Sequence, residues 1–355
     1  MVQVAGDSSS AELETDYDFS SSSTDSFQEF LKLFNVSLAV TSYDCQRLIV
    51  LRQCNNQLDT LLVPMARPRG LAIQGKKLTV AAYTEIINYY RQDSLPADQL
   101  QSLEVQADSL FLPRNSHITG EINVHDIAWG EGGLWLVNSR FSCICTLQPD
   151  LSFKPQWWPM FLKGPTGDGV AHLNCMAMQD GRPAYATCFG AFTEEKSWRE
   201  ARSLDTGLLI DVQNNKVVVE GLYMPHSPKI YKGKVYLCNS GEGSVICYDP
   251  ATGSVDTLLE LQGFTRALTF FQDYMIVCCS RFRKSVRAAS LPLEQKYDDS
   301  HAGIYVVDME DMSIVAYCRF DGDVSQLYDV AVIENSIEPM ILGLQDPRVT
   351  NLFVF

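Results

Sequence analysis

The chain has no apolar run approaching the roughly 20 residues that a bilayer-spanning helix needs. A membrane-spanning protein is not expected. Its first residues also lack the basic-then-apolar pattern of a secretory leader, which makes the cytoplasm the expected compartment. Basic residues are scarce: 28 Lys and Arg stand against 43 Asp and Glu, a formal charge of −15. Nucleic-acid binders draw affinity from clustered Lys and Arg meeting phosphates, so that class is excluded. Cysteine is plentiful at 11, but an odd number scattered through strand-like runs suits small buried hydrophobes better than a disulfide framework. Alternation along a strand puts Cys143 and Cys145 on one face and Cys278 and Cys279 on opposite faces. Neither pair has the companions that a zinc site requires. Also missing is a Gly-x-Ser-x-Gly elbow that would make a serine nucleophile.

What is present divides at Ser26. Residues 1–26 carry Asp7, Glu12, Glu14, Asp16, Asp18 and Asp25, a serine run and no Lys or Arg, and are expected to be a disordered acidic tail. From Ser26 a capping residue precedes apolar positions at Phe27, Phe30, Leu31 and Phe34, the spacing of a short helix expected to plug one end of the main domain, residues 27–355. Helical periodicity is nearly absent after Phe34. Short runs rich in β-branched and aromatic residues follow, among them Val36–Thr41, Arg47–Leu51, Glu85–Tyr90 and Val235–Leu237, broken by turn residues.

A repeat orders these runs. Its unit is a polar residue, small or apolar residues, a short strand, a tight turn and a second strand ending in Asn, Ser or Tyr. Six copies begin at Arg69, His125, Asn174, His226, Arg266 and Tyr328, 40 to 62 residues apart. That interval holds a four-stranded blade and loops, so the fold class is all-β, a six-bladed β-propeller, with seven blades as the alternative. Val36–Leu51 would supply two strands, and Tyr328–Phe355 an innermost strand with one or two more, to close one shared blade. At the fourth copy, Pro225 and Pro228 fix their own φ and are expected to hold Met224 and Ser227 extended, which makes a stiff approach that aims His226.

Several of these segments together, Trp135-Leu-Val-Asn138 with Phe141-Ser142, His172-Leu-Asn174, Ser197-Trp-Arg199, Met224-Pro-His-Ser-Pro228, Gly263-Phe264 with Arg266, and Tyr328-Asp-Val330, resemble an uncharacterised bacterial family. The resemblance covers roughly residues 35–335, with Met-Pro-His-Ser-Pro its most specific part. It implies a domain of unknown function with a propeller-like fold and no settled activity. The family tends to carry His-Gly where this chain has His125-Asp126.

In a propeller the innermost strands line a central channel, so their first residues converge. Arg69, His125, His172 or Asn174, His226, Arg266 and Tyr328 with Asp329 are expected at one mouth. A wet channel mouth tolerates polar groups without a ligand, yet three of the chain's five histidines fall at equivalent repeat positions. Three readings follow. Neutral His125, His172 and His226 with Asp329 would hold a divalent metal, although no His-x-x-x-His motif supports one. Alternatively a histidine (His226, His125 or His172) works as acid or base while Arg69 and Arg266 clamp a small anion, the arrangement of a lyase, hydrolase or isomerase. In that reading Asn174, Tyr328, Asp329 and a covering loop with Trp198 and Arg199 bind substrate. The third is binding without chemistry: a scaffold for an anionic ligand, or for a protein partner on the propeller rim. The basic segment around Arg281 and Arg283, with Lys284 and Arg287, is expected to be a solvated loop, with Arg281 or Arg283 facing the cavity as the alternative.

Overall fold

The computed structural model describes residues 16–93, 107–194, 197–201, 203–282 and 290–354. Its strands form six sheets. Five blades are built from consecutive strands, with innermost strands Leu71–Gln74, Val124–Gly130, Leu173–Gln179, His226–Tyr231 and Phe264–Phe271, numbered blades 1 to 5 in chain order. Blade 6 is composite: Val330–Glu334 is innermost and pairs with Val36–Ser42, which continues into Arg47–Cys54 and Gln57–Pro64. The innermost strands touch one another in a closed ring, so the six repeats do meet around an axis.

Period-2 alternation explains how the ring coheres. Each blade turns one set of side chains to the blade before it and the other set to the blade after, so the core is six wedges rather than one mass. In blade 5, Ala267, Ile276 and Cys278 face blade 6, while Leu268, Met275 and Cys279 face blade 4. Cys143 and Cys145 share the wedge between blades 1 and 2. Strands second and third from the axis, walled on both sides, are the most apolar. Outermost strands such as Leu151–Trp157 and Val255–Glu260 are largely exposed and mix apolar with polar residues, so no continuous hydrophobic run announced them.

Closure differs from expectation. The C-terminal segment gives blade 6 one strand and the N-terminal segment gives three. Pro339–Ile341 instead adds a parallel fifth strand to Ser109–Ile118 of blade 1. The N-terminal helix forms over Asp25–Phe34 but plugs no end. Its Phe27, Phe30 and Leu31 fill the wedge between blades 5 and 6. Residues 1–15 lie outside the described residues. Asp16–Ser26, assigned to the tail by composition, is held on the propeller: Ser21–Ser23 pairs with the outer strand Ile314–Phe320 of blade 5. Tyr17 and Phe19 pack against the adjacent core, and their two rings outweigh the acidic composition around them. Among the described residues no helix is long and apolar enough to cross a membrane.

Close approach at the axis is enforced by small groups and carboxylates. A Cβ on Gly70 would lie 3.0 Å from the backbone nitrogen of Ile127 in the next blade. The Asp329 carboxylate accepts from Leu71 N at 2.8 Å, tying blade 6 to blade 1, and the Asp126 carboxylate accepts from Met176 N at 2.9 Å, tying blade 2 to blade 3.

Candidate functional site

Four innermost strands lose regular pairing at the same mouth of the channel. Register slips at His125, at Asn174, across Ser227-Pro228 and at Arg266. An extra residue bends its strand and re-aims a side chain. His125 and Arg266 are thereby delivered to an axial cavity of about 560 Å³. Left-handed backbone accompanies the bulges: Asn123, His172, Met224 and Ser227 have φ of 57°, 46°, 52° and 47°. Met224 and Ser227 therefore contradict the extended conformation expected before proline; the bulge and the turn entering the strand override the local preference.

The cavity brings together Arg69, His125, His172, Arg266 and Tyr328. Trp198 and Arg199 join them from a short helical turn, Ser197–Glu200. Ring contacts run around the wall: Tyr43 to Tyr328 at 5.7 Å, Tyr328 to His125 at 5.3 Å, His125 to His172 at 4.9 Å, and His172 stacked on Phe189 at 4.1 Å. The guanidinium of Arg266 lies 4.1 Å from the Tyr328 centroid, and that of Arg69 lies 5.8 Å from it. Trp198 packs 4.7 Å from His172.

Charge in the cavity has one sign. Among the described residues Arg69, Arg199, Arg266 and Arg281 line it and no carboxylate does, in a chain of net charge −15. Burial is the first cause that holds all three histidines neutral. The Arg266 guanidinium acts on each of them, and His172 falls to about 3. Burial likewise pushes the Tyr328 phenol up to about 12 against the pull of both arginines, so it remains a donor. Four buried polar atoms of the lining residues have no hydrogen-bond partner, Arg69 Nε, Arg266 Nε, Tyr328 Oη and His125 Nδ1, and a fifth, His226 Nε2, lies behind the wall. Each costs on the order of 1–3 kcal/mol if left unsatisfied, so the convergence of the four on one cavity marks a binding surface. Two histidines are oriented from behind. His125 Nε2 lies 3.2 Å from Asn123 Nδ2, whose Oδ1 accepts from Arg69, and His226 Nδ1 lies 2.9 Å from Ser240 Oγ.

Three expected site residues are placed differently. His226 is buried behind the wall, between Phe189 and Phe264 at 5.4 and 5.7 Å. Asn174 is consumed by structure: its amide donates to Pro225 O and its Oδ1 accepts from Thr187. Asp329 turns from the mouth toward the backbone of Leu71 and its own Val330 N. Asp329 borders a second cavity, of about 870 Å³, together with Lys229. Burial and the neighbouring Asp126 push its carboxyl up to about 7. His125, His172, His226 and Asp329 thus do not assemble as a ligand set. Among the described residues no group of three or more His, Cys, Asp or Glu is placed to hold a metal.

Two further rings of wall residues surround these, of which the sequence points only to His172 and Arg281. Asn123, His172, Met224, Phe264 and Gln326 each sit two positions before a repeat start and all line the cavity. Tyr43, Phe189 and Arg281 are each the first residue beyond the second strand of a blade. Extending the repeat by two residues upstream would have found the first ring. Arg281 lines the cavity, the alternative to the solvated loop, while its guanidinium donates to Phe320 O at 3.0 Å. Arg283, Lys284 and Arg287 lie outside the described residues.

The family described as Domain of unknown function (DUF4915) matches residues 25–342. No curated protein matches the chain. Among solved structures, a chain of the nidogen/laminin complex is similar over 84% of this chain and 99% of its own, with a TM-score of 0.50 at 11% identity. A likeness at that identity is one of fold alone.

Proposed function

The chain belongs to the DUF4915 family, and we propose that its function is to bind a small organic anion in the axial cavity. The observation that carries this reading is the cavity's charge: among the described residues four arginines and no carboxylate line it, and Arg69, Arg266 and Tyr328 each hold a buried polar atom without a hydrogen-bond partner. An oxyanion would accept from all three and relieve the repulsion between the guanidinia. The eleven unpaired thiols support a reducing compartment, the cytoplasm.

Acid–base chemistry by His125, His172 or His226 is the weaker reading. A general base works best with a pKa near the operating pH, and a histidine at about 3 is a poor base at neutrality. The likeness to a chain of the nidogen/laminin complex supports another reading, a rim that docks a protein. Thermal melting with acetate, benzoate, sulfate or inorganic phosphate separates them. At a hundredfold excess over Kd a ligand stabilises by about 2.7 kcal/mol, and Arg266→Gln and Arg69→Gln should each abolish the upward shift. Equal shifts in wild type and both variants would place anion binding elsewhere.

A further inference from the structure

Apolar residues stand on one side of the axial cavity's wall, whereas polar ones ring it, with His172, Arg199 and Arg281 on the apolar side as well. Blades 6, 1 and 2 contribute Tyr328, Gln326, Arg69, Asn123 and His125. Blades 3, 4 and 5, with their loops, contribute Phe189, Trp198, Met224, Phe264, Phe282 and Leu291. Arg266 stands at the border, its guanidinium 4.1 Å from Tyr328 and 5.9 Å from Phe264. The apolar side is a built wall: Phe264 and Leu291 belong to a buried cluster with Leu204 and Leu293, against which Met224 and Phe282 pack. Phe189 packs against the His172 and Trp198 rings, at 4.1 and 5.2 Å.

We infer that the ligand is an amphipathic organic acid, with an oxyanion head on the Arg69, Arg266 and Tyr328 side and a flat apolar body against Phe189, Trp198 and Phe264. This specifies the substrate class of the anion site just proposed and rests on it. A bare inorganic anion would leave that half of the wall facing water and collect none of the stabilisation that an apolar body brings, about 25 cal/mol per Å² buried. An uncharged aromatic would leave two buried guanidinia without a counter-charge. A flat ring also suits the wall, since its edges and faces are aromatic and offset or edge-on contact is favourable at these separations. About 560 Å³ accommodates a ring with a short acid-bearing arm.

Calorimetric titration of the full chain with phenylacetate, phenyl phosphate, acetate, inorganic phosphate and 2-phenylethanol tests this. Each aryl acid should bind at least tenfold tighter than its bare counterpart, and phenylacetate at least tenfold tighter than 2-phenylethanol. Trp198→Ala and the milder Phe264→Leu, each checked for folding by its melting curve, should narrow the aryl-to-bare ratio at least threefold. Bare anions binding as tightly as aryl acids would overturn the amphipathic assignment while leaving the anion site standing. Equal binding of phenylacetate and 2-phenylethanol would overturn the anion site itself, as would no binding by any of the five.

Discussion

Three histidines held neutral beside guanidinia make the protonation of this cavity depend on what occupies it. For His172 the folded value of about 3 lies below the ordinary 6.5. The unfolded chain therefore takes up its proton first as the pH falls. Stability is at full above about pH 6.5 and is lost progressively toward pH 3. His172→Gln should flatten the melting temperature between pH 6.5 and 4, and a curve as steep as wild type would mean that other groups set the acid limit. Burial is the larger cause that holds these imidazoles deprotonated, and a bound anion offsets a smaller one, the charge of the arginines. Calorimetry of phenylacetate at pH 6 in two buffers of different ionisation enthalpy should then report proton uptake, diminishing at pH 8; identical heats in both buffers at pH 6 would contradict this linkage. His125, Arg69, Arg266 and Tyr328 were legible in the sequence because a repeat position fixes where a residue stands on the ring. The directions of Asn174 and Asp329 were not, because a bulge or a nearby backbone donor re-aims a side chain without changing its position.

At the scale of the element, innermost strands were readable because their small and apolar residues recur after a polar start, whereas the outer strands Leu151–Trp157 and Val255–Glu260 belong to no such repeat. The two prolines were misread for a related reason: local φ preference is worth little against a turn fixed by both flanking strands. The axial carboxylates show what this level contributes to stability. Asp329 is pushed up to about 7 by burial and by Asp126, with Lys229 and the backbone donors Leu71 and Val330 opposing. A raised folded value means that wild-type stability from this group is fully present below the ordinary value of 3.8 and is lost as the pH rises through 7. Asp329→Asn keeps an acceptor for Leu71 N and removes that loss, so its stability relative to wild type should increase from pH 5 to pH 8 in urea unfolding. Asp329→Ala removes the tie and should cost about 1–3 kcal/mol at pH 6. A constant difference between Asp329→Asn and wild type across that range would contradict the account.

For the whole molecule, six blades followed from six repeats, but the stitching of the ring did not. Strand pairing by serines is a backbone matter, invisible to composition, and so Ser21–Ser23 was assigned to a tail. Gly322 shows how closely that segment is held: a Cβ there would lie 2.3 Å from Asp18 O. Deleting residues 1–23 should lower unfolding free energy by about 1–4 kcal/mol, the worth of a few backbone hydrogen bonds and the packing of Tyr17 and Phe19. Unchanged stability would show that the closure between blades 5 and 6 needs no such strap. Whether the axial cavity holds an organic anion is decided by a crystal of the full chain grown with 4-bromophenylacetate. The anomalous bromine signal should lie between Phe189 and Phe264 with the carboxylate on Arg69 and Arg266; a signal confined to the rim or to the opposite face would contradict it.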